Sequence, residues 1–355
     1  MNVLMILNHA PDYREAFLRE LGTHKSIDLT VVAQPCEPDA LTPPECRRAY
    51  EYIEIKPVRF FGLSWQPGLG SILRGRRWDV VCVSANLRQL SRIFLFLTNR
   101  SYRDKWVWWG LIFGQARSPV LEAARKQLLK RAAGCLVHSK AVSSRLHREY
   151  GIQALSYNNT EVSRHEFRPG SFAKRKDEIR MLFVGTYKPR KKLERLVEIA
   201  RRRPDVKIRI VGPGMERLQV DKELRDTNAV QVFGRKTGAD LNGDFDWADI
   251  VVSPGNAGLL SMNAARHGKG IVIDNDSYHG PEVYLAQEAQ QPFISFASAS
   301  DVDRFIDSVH ENPSTLETWG QALQEKARRE YTIEHMAAVH VRAFEAVSSG
   351  RSIPG

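Results

Sequence analysis

Short apolar runs alternating with segments of helical periodicity constrain this chain more than any other feature. In the first half they are residues 2–7, 28–33, 79–84, 105–110 and 134–139. In the second half they are residues 180–185, 206–212, 229–234, 249–254, 270–275 and 293–296. The runs are apolar on both faces, as parallel strands covered on both sides must be. Helical patterns lie between them at 13–21, 87–98, 120–131, 140–149, 190–203, 259–267, 300–310 and 314–329. Repeated strand–helix units predict an α/β fold with parallel, doubly wound sheets. The pattern pauses once, in the polar, Pro/Gly-bearing stretch 158–180. That pause divides 355 residues into two Rossmann-like domains of similar size. Ligands of such sheets bind outside the carboxyl ends of the strands, so the loops there are where chemistry is sought.

The segment "FVGTYKPRKKLERLVEIA", residues 183–200, opens as a buried strand and continues as an amphipathic helix. Leu193, Leu196, Val197 and Ala200 are spaced to make one buried face, and Pro189 suits a first helical position. Lys188, Arg190, Lys191 and Lys192 then crowd the expected first turn, where each cation costs roughly 0.3–1 kcal/mol against the helix dipole. An anion resolves the conflict: backbone N–H groups at the helix start, with Arg190 and Lys191, form a diphosphate site. Lys188 and Lys192 are expected to point to water.

Two further loops stand at strand ends. In "VVSPGNAGLLSMNAARHG", residues 251–268, a glycine-bearing turn leads to a helix expected from about Leu259. Its N–H groups from Ala257 to Leu260 are expected to face negative charge, although spacing alone also permits an ordinary turn. In residues 274–286, Gly280-Pro281-Glu282 places Pro at the first helical position and an acid in the first turn. Asp274 and Asp276 are read as a loop and not as a metal pair. In the first half, His9, Asp12 and Arg14 follow strand one and are candidates for a second ligand. Leu87, Leu90, Phe94 and Leu97 predict one helix face, with Arg88, Arg92, Arg100 and Arg103 around it. That face is read as core, with docking on anionic lipid as the competing reading.

Charge is uneven. Residues 1–170 carry 25 Lys and Arg against 15 Asp and Glu, whereas residues 171–355 carry 27 against 26. The first half therefore suits an anionic partner (a membrane surface, a phosphorylated molecule or, less well, nucleic acid), with plain solubility and scattered arginines as the equal alternative. Cys36, Cys46, Cys82 and Cys135 form no CxxC pair, which argues against a zinc site and for a reducing compartment. The N-terminal stretch does not read as a signal peptide, and "WVWWGLIFG" is far short of the roughly 18–20 residues of a span. No GxxxxGK[ST], zinc-ligand His pair or GxSxG occurs, and "GPGMER" is an incomplete dinucleotide fingerprint.

Taken together, these motifs resemble a GT-B glycosyltransferase of the large retaining family 4, most closely over residues 180–290. "FVGTYKPRKKLERLVEIA" is similar to that family's strand–glycine–phosphate-binding element, with Lys191 on its lysine. "VSPGNAGLLSMNAARHGKGIVIDN" is similar to its donor loop, "HGPEVY" to its later Pro-Glu turn, and residues 331–347 to its terminal helix. The family's paired glutamates fall on Gly255 and Asn263, and the wording "PGNAGL" resembles a side branch that reads Pro-Gly-x-x-Gly-Leu. The resemblance implies two doubly wound Rossmann-like domains facing across a cleft. Residues 1–170 would bind acceptor, 171–335 would bind the nucleotide sugar, and 336–355 would return as a helix to the first domain. It implies catalytic roles for Lys191, Arg190 and Glu282. Donor contacts would come from Gly185, Thr186, Arg235, Gly255, Asn256, Ala257, Gly258, Leu259, Leu260 and Asn263, and acceptor contacts from His9, Asp12 and Arg14. Sugar would pass with retention and without a metal to a saccharide or polyprenyl-linked acceptor, in the cytoplasm or at the inner membrane face. A catalytically silent partner subunit, a DNA-modifying transferase and a sugar-nucleotide epimerase are the alternatives.

Overall fold

The computed structural model describes residues 1–36, 48–110, 112–113, 118–172 and 177–353. Cys46 lies outside them. The chain divides into two units, Met1–Glu161 with Ile333–Gly355, and Val162–Thr332. These divisions differ from the boundaries at 170/171 and 335/336 because packing decides them. Val162 and Phe167 join the hydrophobic core of the second unit, and Ile333 and Met336 join that of the first.

The first unit carries β1 (Asn2–His9), β2 (Asp28–Gln34), β3 (Glu51–Glu54), β4 (Val58–Phe60), β5 (Leu63–Trp65), β6 (Val80–Ser84), β7 (Trp106–Gly110), β8 (Gly134–Val137) and β9 (Ala154–Ser156). Seven of these form a sheet in the order β3-β2-β1-β6-β7-β8-β9, with parallel pairing throughout. Alternate residues of β1 feed two cores: Val3 and Met5 one, Leu4 and Ile6 the other. This is the two-faced burial that its unbroken apolar run requires. The helix Ile333–Ser348 covers one face through Met336, Val339 and Phe344. Its His340 accepts from the Trp109 indole N–H at 2.8 Å and donates from Nδ1 to the Met336 carbonyl at 2.7 Å. The antiparallel hairpin β4–β5 stands apart from the main sheet.

The second unit carries β10 (Ile179–Val184), β11 (Val206–Val211), β12 (Val230–Phe233), β13 (Ile250–Ser253), β14 (Ile271–Asp274) and β15 (Phe293–Ile294). Their order is β12-β11-β10-β13-β14-β15, again all parallel. The helix Glu194–Arg202 buries Leu196, Val197 and Ala200 against this sheet. No helix among the described residues is long and apolar enough to cross a membrane. Cys82 and Cys135 are buried free thiols, and burial pushes the Cys135 thiol up to about 12.

Candidate functional site

In the second sheet the strand order reverses between β10 and β13, which is where doubly wound sheets open a crevice at their carboxyl ends. Three loops converge there, after β10, β13 and β14, and hydrogen bonds tie each to the next.

The first loop differs from its sequence reading. Pro189–Lys191 form a separate 3-10 turn, Lys192 takes a left-handed φ of 52°, and the α-helix begins at Glu194. Its first turn therefore carries Glu194 beside Arg195, and Lys188, Arg190, Lys191 and Lys192 precede it instead of lying inside it. The Lys191 and Lys192 N–H groups donate to the Lys188 and Pro189 carbonyls at 2.8 and 3.1 Å. These two are internal to the turn and are not offered to an anion. Lys188 and Arg190 are exposed. Lys192 does not simply face water: its Nζ lies 3.5 Å from the buried Asp274 carboxylate.

Lys191 crosses to the second loop. Its Nζ donates to the Asn256 carbonyl at 2.6 Å and to the Ala257 carbonyl at 3.4 Å. In return the Asn256 N–H donates to the Arg190 carbonyl at 3.0 Å. The backbones touch at this crossing: a Cβ on Gly255 would meet the Arg190 carbonyl oxygen and stand 2.7 Å from the Lys191 carbonyl. That contact gives a physical reason for glycine at position 255. Gly258 then turns the chain with a φ of 58°. Burial, followed by the charges of Arg190 and Lys188, pushes Lys191 down to about 8, while Glu282 favours its protonated form. Lys191 makes no salt bridge among the described residues. A desolvated ammonium held among like charges is stabilised by an incoming anion.

The third loop is fastened by Asp274, at the end of β14 and fully buried. Its carboxylate accepts from the Phe296 N–H at 3.1 Å, the Ser277 hydroxyl at 2.5 Å and Arg195 Nη1 at 3.0 Å. Burial works to raise its pKa; these hydrogen bonds and the charges of Arg195 and Lys192 outweigh it and hold the carboxyl below its ordinary value. Arg195 also donates to the Pro254 carbonyl at 2.9 Å, joining helix, second loop and third loop. His279 Nε2 donates to the Asp274 carbonyl at 2.6 Å, and Nδ1 accepts the Ala257 N–H at 3.2 Å. Burial depresses this imidazole, consistent with the neutral form those two bonds require. The Ala257 N–H is thus taken, against the sequence reading. Among the described residues, the N–H groups of Gly258, Leu259 and Leu260 have no acceptor. Asn256 Nδ2 donates to the Tyr278 carbonyl at 2.8 Å, closing the contact between the two loops.

Of the remaining candidates, the helix after the second loop runs Leu260–Arg266, with Leu259 at its cap and Asn263 half-buried on it. Glu282 sits at the cap of Val283–Glu288 and not inside its first turn, because Pro281 and Glu282 complete the preceding turn. Gly185 and Thr186 follow β10, and Arg235 is exposed just beyond β12. No cluster of three or more His, Cys, Asp or Glu suited to a metal occurs among the described residues. Sequence reading missed Asn256 as a latch and missed Arg195, His279 and Asp274 altogether as organisers. A buried strand-end aspartate and an arginine at the second position of the helix after β10 were the available signals.

In the first unit His9 Nδ1 donates to the Pro35 carbonyl at 3.0 Å, and Asp12 is exposed and accepts the Tyr13 N–H at 2.7 Å. Arg14 does not project outward. It is buried, donates to Asn159 Oδ1 at 2.6 Å and lies 5.3 Å over the Trp109 ring. The arginine pattern of the helix Leu90–Thr98 also differs from expectation. Arg92 is wholly buried, whereas Phe94 and Leu97 are 52% and 40% exposed. Arg92 donates to the Leu7 carbonyl at 2.8 Å, Asn8 Oδ1 at 2.8 Å, the Ser84 carbonyl at 3.4 Å and Gln66 Oε1 at 3.0 Å. Four acceptors explain how an arginine displaces leucine and phenylalanine from the inward face.

Residues 165–326 match the family described as "Glycosyl transferases group 1". No curated protein matches the sequence. Solved structures match over nearly the whole chain. A glycosyltransferase from Rickettsia africae shares 14% identity over 98% of both chains, with a TM-score of 0.72. HepE from Anabaena, crystallised with UDP and glucose, shares 13% identity over 98% of this chain and 100% of its own, with a TM-score of 0.67. Sucrose-phosphate synthase from Thermosynechococcus elongatus shares 15% identity over 98% and 99%, with a TM-score of 0.68. At these identities the likeness shows the fold, which is GT-B.

Proposed function

We propose that the protein is a retaining glycosyltransferase that takes a sugar from a nucleoside-diphosphate sugar held by its second unit. The observation that carries this reading is Lys191: an ammonium lodged at the switch point, pressed by burial and neighbouring cations, without a carboxylate ion pair among the described residues. Breaking the anomeric C–O bond leaves additional negative charge on the distal phosphate. Cations already in place there favour the transition state over the ground state. Lys191 and Arg190 supply that charge, so the proposal calls for no metal. The match of residues 165–326 to group 1 glycosyltransferases supports the reaction class. UDP in the HepE crystals makes a uridine donor the first to test. Glu282, close enough to favour the charged form of Lys191, is assigned to the polar work of the missing family acids.

The acceptor, a saccharide or a lipid-linked saccharide, is assigned to the first unit, and the role to cell-surface polysaccharide or glycoconjugate synthesis. Peripheral attachment to an anionic membrane is part of the proposal. Phe61 at the β4–β5 turn is fully exposed, Phe60, Trp65, Phe94 and Leu97 are partly so, and Arg59, Arg88 and Arg100 are exposed nearby in sequence. Aromatic side chains flanked by cations suit the headgroup region of anionic lipid. Flotation with vesicles containing phosphatidylglycerol should carry the protein upward, and replacing Phe60 and Phe61 by Ser should leave it at the bottom. Equal flotation of both proteins refutes membrane attachment at this turn.

A thermal-shift screen with UDP, GDP, TDP and CMP tests the donor reading, with stabilisation by at least one diphosphate expected. No response to any nucleotide would instead favour the catalytically silent partner, which the residues at Gly255 and Asn263 also suit.

A further inference from the structure

Beside the reversal of strand order in the first sheet, between β1 and β6, lies a cavity of about 240 Å³. It is lined in part by Asn8, Arg59, Ser64, Arg88 and Gln89. The hairpin β4–β5 forms one wall and is fastened there. The Ser64 N–H donates to the Arg88 carbonyl at 2.8 Å, and Ser64 pairs with Gln89 in an isolated parallel bridge.

The lining carries two arginines, with the amides of Asn8 and Gln89 beside them. Asn8 Oδ1 is taken by Arg92 at 2.8 Å, which leaves its amide NH2 to give. Gln89 Oε1 is taken by Gln34 at 2.9 Å, with the same result. The side chains of Arg59 and Arg88 make no ion pair among the described residues, and no carboxylate lines the cavity. Ser64 is only 6% exposed, yet among the described residues its hydroxyl has no hydrogen-bond partner. A buried hydroxyl left unpaired calls for a partner that the chain does not supply. A volume below the roughly 300–1,000 Å³ of drug-sized sites suits a single ring.

We infer that this cavity binds one hydroxylated sugar ring bearing an anionic group, a carboxylate or a phosphate, with Arg59 and Arg88 on the anion and Ser64, Asn8 and Gln89 on hydroxyls. Calling that ring the acceptor rests on the transferase reading; its binding does not.

The test is isothermal titration with glucuronate, glucose 6-phosphate, glucose and inorganic phosphate, with no nucleotide present. Both anionic sugars should bind at least ten-fold more tightly than glucose and than inorganic phosphate. Replacing Arg59 and Arg88 together by Ala should remove that ten-fold preference, and Ser64→Ala should weaken binding of both anionic sugars several-fold. Neither change should alter the nucleotide shift of the second unit, which serves as the check on folding. Equal binding of glucose and glucuronate, equal binding of inorganic phosphate, no binding of any sugar, or full affinity in the double variant each overturns the inference. A protein that binds glucuronate as described but responds to no nucleotide loses the transferase reading and keeps this one.

Discussion

Arg92 in the first unit and Lys191 in the second both reach oxygens beside a reversal of strand order, but they are finished to different degrees. Arg92 gives its guanidinium protons to four oxygens, including the Leu7 and Ser84 carbonyls at the ends of β1 and β6. It thereby seals one sheet, and burial lowers its pKa only to about 9, so it stays charged at neutral pH. Lys191 is partly buried, meets two carbonyls and has cations for neighbours. Arg92, wholly buried and giving four of its five guanidinium protons to the chain, acts as a strut, whereas Lys191, half-buried at a strand-end crevice with cations beside it, is the one proposed to meet a ligand.

The largest test of that contrast is to remove each cation. Arg190→Ala with Lys191→Ala should lower donor turnover by about 10²–10³-fold or more while the thermal midpoint barely moves. Near-normal turnover, measured as nucleoside diphosphate release, would break the assignment. Arg92→Met should do the reverse. It strands the Leu7 carbonyl and Asn8 Oδ1, at about 1–3 kcal/mol for each buried group left bare. Chemical denaturation should show the first unit unfolding early, with nucleotide binding by the second unit retained. If Arg92→Met unfolds at the wild-type midpoint, Arg92 is no strut.

A smaller effect separates the units by pH. His138 and His340 in the first unit are buried and held down to about 3, chiefly by burial, with Arg14 adding to it. The unfolded chain binds protons at these sites below about 6.5, and the folded chain does not, so stability falls as pH drops from 6.5 toward 3. His340→Gln should flatten part of that slope. Lys191 titrates at the other end: donor affinity should fall as pH rises through about 8, where its charge is lost. An affinity constant from pH 7 to 9.5 would remove Lys191 from the phosphate site.

What could be read from sequence follows from what periodicity reports. The long apolar runs of β1, β10 and β13 announce two-sided burial by themselves. The short β3, the hairpin β4–β5 and β9 do not, because so few residues carry no period. Arg92 shows a second limit. Hydrophobic periodicity placed Leu90, Phe94 and Leu97 inward, but hydrogen-bond acceptors at two strand ends outweighed transfer energy and turned the helix. At the candidate site, crowded charge marked Arg190 and Lys191 together, glycines at a strand end marked the loop from Pro254, and the resemblance fell on the same segments. The locking of those loops by Asp274, Arg195 and His279 depends on contacts between residues distant in sequence, which no local pattern encodes.

The bond count at Lys191 has a kinetic consequence. An ammonium carries three protons, and two are directed at the Asn256 and Ala257 carbonyls. One is therefore still to be given, from a nitrogen whose position is already fixed. On the donor reading proposed above, a phosphate oxygen takes it without waiting for the loop to rearrange, so capture of the nucleotide should run at the pace of encounter, with departure governing how long it stays.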